Sequence, residues 1–240
     1  MRAVFITIIL SGISAINAES WSRISPEEIR FNGYFDESSY AEYMTIAKSG
    51  FSRIRITSAG GSPNIALLVA TDVQSRGASV IVEEYCFSAC ANYVLLAVRR
   101  PVVECGAVLA WHGSPAGVRD GDALRADGWP EELVREIADW DADFIKREQA
   151  LLSRSGVRHD FLEYATEAVE RAGFKPSEKH GFNRLTGDMT HTVEASSWFP
   201  TTKALRKFGV DTSDFCPDYD RQIKANMDRL GVKGAVSDGQ

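Results

Sequence analysis

Residues Arg53 to Cys90 read RIRITSAGGSPNIALLVATDVQSRGASVIVEEYCFSAC, and the fold class follows from this stretch. Arg53 to Thr57 alternates polar and apolar side chains, the period of a half-buried strand. Ser58-Ala-Gly-Gly-Ser62 is a loop of small residues. A helix follows from Asn64 to Ser75, with Ile65, Leu68, Val69 and Val73 on one face and Gly77 at its end. Ser79 to Val82 reads as a short buried strand. Glu84 to Cys90 then leads into an apolar helix, Ala91 to Val98, broken by Arg99-Arg100-Pro101.

Outward from this stretch the rhythm continues. Upstream, Glu28 to Phe35 (EIRFNGYF) alternates as a strand, and Asp36 or Ser38 caps a helix closed by Gly50. Downstream, Val102-Val103 and Val108 to Trp111 are strand-like, and His112 stands at the end of the second. Strands alternating with helices in this order indicate an α/β protein with parallel crossovers. Past His112 the text becomes helical. Gly113 to Gly128 is a polar, glycine-rich loop, Glu131 to Arg154 a long helix and Asp160 to Arg171 another. Phe174 to Ala195 shows no clear period and reads as loop or insertion, and Trp198 to Gly209 reads as a last helix. Residues 19–231 thus form one α/β domain, with 232–240 expected as a disordered tail.

The N-terminus differs in kind. Met1-Arg2 supplies a short positive start, Ala3 to Ile16 is apolar and uncharged, and Ile16-Asn17-Ala18 ends in a small residue. This pattern predicts a secretory signal over residues 1–18, cleaved after Ala18, and a periplasmic or secreted mature protein. Its rival is an uncleaved N-terminal anchor, for which the apolar run is short against the ~20 residues of a membrane span. Export bears on Cys86, Cys90, Cys105 and Cys216, because an even count in an oxidising compartment favours disulfides. Four cysteines allow three pairings. Cys86 can bridge to Cys90 if their Cα atoms fall within about 6.8 Å, and Cys105 can instead pair with Cys90. A zinc site is disfavoured by C-x3-C spacing with the other cysteines far away. With a net charge of −6 the chain has no basic footprint for nucleic acid, and no cofactor motif stands out.

Three features carry chemistry. Gly60-Gly61 lies between a strand and a helix, where backbone N–H groups can approach an anion unobstructed; the plainer role is a tight turn. Ser88 lies at a strand-to-helix junction and is either a nucleophile or a helix cap. His112 follows the next strand and is either a general base or a structural histidine.

Their order resembles the Clp protease proteolytic subunit. Ile54-Arg-Ile-Thr-Ser-Ala-Gly-Gly-Ser62 is similar to that family's I-N-S-P-G-G-S loop, with Ala59 in place of its proline. Cys86-Phe-Ser-Ala-Cys90 falls at its nucleophile elbow and Val108-Leu-Ala-Trp-His112 at its catalytic histidine. The likeness runs over residues 28–112, and Trp198 to Gly209 resembles the family's closing segment. It looks nearest to an exported branch with a C-x-S-A-C elbow. The resemblance implies a Clp-protease/crotonase-like spiral of β-β-α units with a helical C-terminal part, in proteins that assemble into rings or trimers. It implies Ser88 as nucleophile, His112 as base, and an oxyanion hole from the N–H groups of Gly60 or Gly61 and Ala89. The family's third triad member is an aspartate where this chain has Ser196; Glu194 and Glu170 are the carboxylates available instead.

The expected activity is therefore an exported serine hydrolase, an ATP-independent peptidase acting on peptides or unfolded chains, with no ATPase partner and as a homo-oligomer. Trp111 and Trp129 stand near the loop and serve either a substrate cleft or the core. A catalytically inactive binding or assembly module of the same fold is the alternative. Crotonase-type acyl-CoA chemistry fits export poorly, and a Ser–Lys dyad would need a lysine from the C-terminal half or another subunit, because no lysine lies between Lys48 and Lys146.

Overall fold

Strand β1 (Trp21–Ser25) turns back antiparallel onto β2 (Glu28–Phe35). Helix α1 (Glu37–Ile46) leads to β3 (Arg53–Gly61), and α2 (Pro63–Arg76) to β4 (Ser79–Phe87). The computed structural model describes residues 20–113, 121–171, 177–182, 189–194, 197–232 and 234–237; the expected signal segment 1–18 lies outside them. β2, β3 and β4 run parallel. The first half of β4 pairs with β5 (Val102–Val103), and its last three residues pair with β6 (Val108–Ala110). The result is a six-stranded mixed sheet in an α/β protein.

Period-two patterning decides which face is covered. Ile29, Phe31 and Phe35 of β2, Ile54 and Ile56 of β3, and Val80 and Val82 of β4 are buried. They share the core with Tyr43 of α1 and Ala66, Val69 and Val73 of α2. The intervening Glu28, Arg30, Arg53, Arg55 and Glu83 stay partly or wholly exposed and form ion pairs, among them Arg55–Glu28 at 2.8 Å and Arg30–Glu83 at 2.9 Å. Local chemistry starts the helices where expected. Asp36 and Ser39 make a reciprocal capping box for α1, while Ser62 accepts from the Ile65 N–H with Pro63 in the first turn of α2. Gly77 ends α2 in the left-handed conformation that favours glycine.

Beyond β6 come α3 (Gly121–Ala126), α4 (Glu131–Ser155) and α5 (Phe161–Arg171), then β7 (Ser177–Phe182), β8 (Met189–Glu194), β9 (Ser197–Pro200), α6 (Thr202–Lys207), α7 (Tyr219–Leu230) and β10 (Gly234–Ser237). Trp111, Phe161, Tyr164, Trp198 and Phe208 interlock, with ring centroids 4.9–6.3 Å apart, and seat α5, β9 and α6 against the strand that ends in His112.

Several expectations change. Trp198 to Gly209 is not one helix: Trp198 and Phe199 are extended and buried in β9, and α6 begins only after Thr201. Pro200 disfavours helical backbone at Phe199, and Thr201 caps the helix through the Ala204 N–H. The expected disordered tail contains β10, parallel to β9. The aperiodic stretch Phe174 to Ala195 holds the antiparallel pair β7–β8, and the loop after His112 holds α3. The apolar run after Cys90 is a π-helical turn, Cys90–Val94, followed by a 3₁₀ turn, Leu95–Ala97.

Two disulfides form: Cys86–Cys90, with Cα atoms 5.3 Å apart, and Cys105–Cys216, separated by 111 residues. The Cys90–Cys105 alternative is ruled out, because each partner is engaged elsewhere, and no cysteine is left free for a metal. Both bridges suit an oxidising environment. Among the described residues no helix is long and apolar enough to cross a membrane. Closing a loop of that length restricts the unfolded chain by roughly 4–5 kcal/mol in the chain-entropy model. The double variant Cys105→Ser/Cys216→Ser is accordingly expected to lose about 2–5 kcal/mol in urea denaturation. An unchanged midpoint would contradict a stabilising role for the bridge.

Candidate active site

β4 ends at Phe87, and the chain must then reverse into the π-helical turn within a few residues. Ser88 makes that reversal with φ +53°, and it is the one non-glycine residue with positive φ among the described residues. Such a backbone costs on the order of 1–3 kcal/mol and persists only where surrounding structure holds it. Here Ser88 N–H donates to Ala110 O at 3.0 Å, Ser88 O accepts from Asn92 N at 2.8 Å, and the Cys86–Cys90 bridge spans the turn. A strained serine on a strand-to-helix turn is the geometry that lifts a nucleophile clear of a sheet.

Gly60 lies directly against this turn. A Cβ added there would sit 2.8 Å from Ser88 Cβ and 2.9 Å from Phe87 O, so only glycine lets the loop approach so closely. The Gly60 N–H, however, donates to the buried Ser58 Oγ at 3.1 Å. That hydrogen bond engages the Gly60 N–H within its own loop, so of the expected trio Gly60 is the member whose N–H is already committed.

His112 is anchored through its neighbours. Ala110 holds Ser88 N–H, Trp111 and Trp198 exchange two backbone hydrogen bonds at 2.9 and 2.6 Å, and the Asn92 amide donates to Gly113 O at 2.8 Å. These contacts bring His112 Nε2 to 2.6 Å from Ser88 Oγ. In the Nδ1–H tautomer, the serine hydroxyl donates to Nε2, the arrangement required for a general base. One side of His112 is open to solvent, while the protein packed around the rest disfavours the charged ring and lowers its pKa below the ordinary 6.5. A hydrogen bond that the ring donates to its own backbone opposes that shift without cancelling it. The imidazole is neutral at pH 7 and free to accept a proton.

No protein-family model and no curated protein matches this chain. The site therefore stands on its geometry.

The remaining expected site residues are dispersed. Glu170 is exposed on α5, and among the described residues no carboxylate hydrogen-bonds to the His112 ring. Glu194 ends β8, but its side chain lies outside the described residues, as does Ser196. Trp111 is fully buried in the aromatic cluster and belongs to the core, whereas Trp129 is exposed. Asn92 escaped sequence reasoning because an asparagine in an apolar run carries no motif. Its signal is the single amide within the buried run Ala91 to Ala97. Asn92→Ala removes the tie to Gly113 O and is expected to cost about 1–3 kcal/mol. It should also slow Ser88 chemistry at fixed pH, whereas a variant that is destabilised yet fully reactive would show that Asn92 does not position the histidine.

Proposed function

We propose that the protein is an exported serine hydrolase, a Clp-protease-like peptidase that works without ATP on peptides or already unfolded chains. The observation that carries this reading is the 2.6 Å approach of His112 Nε2 to Ser88 Oγ at a strained elbow. In this reading Ser88 Oγ attacks the scissile carbonyl as its proton passes to His112 Nε2. The N–H groups of Gly61 and Ala89 stabilise the oxyanion. His112 then returns the proton to the leaving amine, and a water, deprotonated in turn by His112, hydrolyses the acyl–Ser88 ester. The α/β sheet with its strand–helix crossovers and the glycine loop beside the elbow support a Clp-protease/crotonase-like spiral, whose members form rings or trimers. The two disulfides support export to the periplasm or beyond, where no ATPase would feed the site.

The test is labelling by a fluorophosphonate probe. The oxidised protein is expected to react at Ser88, Ser88→Ala to lose the adduct, and His112→Ala to react 10²–10⁴-fold more slowly, the usual range for general-base catalysis. Absence of Ser88-dependent labelling would reject the hydrolase. Because the His112 pKa lies below 6.5, the base is lost only as pH falls through that lower value. Labelling at pH 6.5 should therefore exceed half its alkaline plateau; a midpoint at or above 6.5 would contradict the desolvated ring. Mild reduction of Cys86–Cys90 is expected to slow labelling by freeing the elbow, with the rate recovering on reoxidation.

A second reading, a binding or assembly module without turnover, is favoured by the lack of a carboxylate on His112 among the described residues. An unoriented imidazole can reduce a serine hydrolase by ~10⁴. Labelling at Ser88 with no peptide or ester turnover would favour the module.

A further inference from the structure

The C-terminal half of α2 packs against the C-terminal half of α4, and the two helices enclose a hollow of about 360 Å³. α2 begins beside the Gly60–Gly61 loop and ends where β4 starts, whereas Ser88 follows the far end of β4, so this hollow is separate from the candidate active site. Gln74 braces it. The Gln74 amide donates to Leu151 O on α4 and to Ala97 O, both at 3.0 Å, so the cleft is formed before anything enters it.

The two walls differ in chemistry. α4 contributes Arg147 and Arg154, which lie about two turns apart on one face. Arg147 is committed: its Nε donates to Asp143 at 2.7 Å and its Nη1 to Asn64 at 3.1 Å. Arg154 is exposed and has no hydrogen-bond or ion-pair partner among the described residues. α2 contributes acceptors. Thr71 Oγ1 donates its proton to Leu67 O at 2.7 Å and Ser75 Oγ to Asp72 O at 2.8 Å, so both hydroxyls have only lone pairs left for a ligand. Asp72 receives Tyr43 OH at 2.6 Å and Arg76 Nε at 2.7 Å on Oδ2, which leaves Oδ1 for a further donor. Leu68, Ala150 and Leu151 supply the apolar lining between the walls.

This division selects a ligand. A phosphate or sulfate needs several donors, and here one unpaired guanidinium stands with a carboxylate and two hydroxyls that have no proton to give. A simple cation meets Arg154. A molecule with a carboxylate at one end, an ammonium at the other and an apolar side chain satisfies both walls and the lining. We propose that the hollow binds a zwitterionic amino acid or dipeptide with an apolar side chain. Its carboxylate pairs with Arg154, its ammonium donates to Asp72 Oδ1, Thr71 and Ser75, and its side chain packs on Leu68 and Leu151. The site stands whether or not Ser88 is a nucleophile.

The test is isothermal titration calorimetry of the oxidised protein with L-leucine and leucyl-leucine. Three controls accompany them: N-acetyl-leucine, which lacks the ammonium, leucinamide, which lacks the carboxylate, and inorganic phosphate. At least one of the two zwitterions is expected to bind with a Kd at or below about 1 mM. Both blocked analogues should bind at least about tenfold more weakly, because each leaves one wall unpaired. Arg154→Gln should weaken the zwitterion at least about tenfold while the thermal stability of the ligand-free protein stays unchanged. Asp72→Asn should weaken the zwitterion and leave the affinity for N-acetyl-leucine as it was. No saturable binding of either zwitterion up to about 10 mM would overturn the site. So would a blocked analogue or phosphate binding as tightly as the zwitterion, or a zwitterion affinity unchanged in Arg154→Gln.

Discussion

The left-handed backbone at Ser88 is the constraint on which the rest of the site depends. A β-sheet strand delivers its last residue in an extended conformation, and a serine does not leave that conformation for φ +53° without compensation. Three elements supply it. The end of β6 takes the Ser88 N–H, the π-helical turn takes the Ser88 carbonyl, and the Cys86–Cys90 bridge limits how far the two sides of the elbow can separate. A π turn is itself an uncommon element that recurs at functional sites, and here it directly follows the elbow. The same contacts that hold the strain also set the His112 strand at hydrogen-bonding distance, so geometry and reactivity share one set of supports.

The C-terminal half bears on that point from a distance. β9 is a short strand, yet Trp198 pins Trp111 through paired backbone hydrogen bonds and an aromatic cluster. Cys105–Cys216 fastens the turn ahead of β6 to the segment ahead of α7. The histidine is thereby held by chain more than eighty residues away in sequence, as the Trp111–Trp198 bridge makes plain. Stability of the C-terminal region and reactivity of Ser88 are expected to move together.

Much of this was legible in the sequence where a local rule applied. The alternation in β2 and β3, the Ser62–Pro63 start and Gly77 stop of α2, and the His112 position at a strand end each follow from short-range chemistry. Pairing of Cys86 with Cys90 was among the open alternatives, and Cα separation decides it. The losses have physical reasons. Trp198-Phe199-Pro200 reads as apolar and helical by composition, but the proline and the backbone bridge to Trp111 impose extension. β1 has only five residues and is defined by pairing to β2, and β10 by pairing to β9, which no local pattern reveals. Gly60 illustrates the remaining gap: its place in the loop was readable, whereas the hydrogen bond from its N–H to Ser58 was not.

The central claim is that Ser88 and His112 act on one reacting centre. The most direct measurement is a crystal structure of the oxidised protein after reaction with a fluorophosphonate. The account requires phosphorus bonded to Ser88 Oγ, its oxygen within about 3.1 Å of the Ala89 N–H, and His112 Nε2 still facing the adduct. An adduct on another residue, or a His112 ring turned away with Ser88 unmodified, would contradict it.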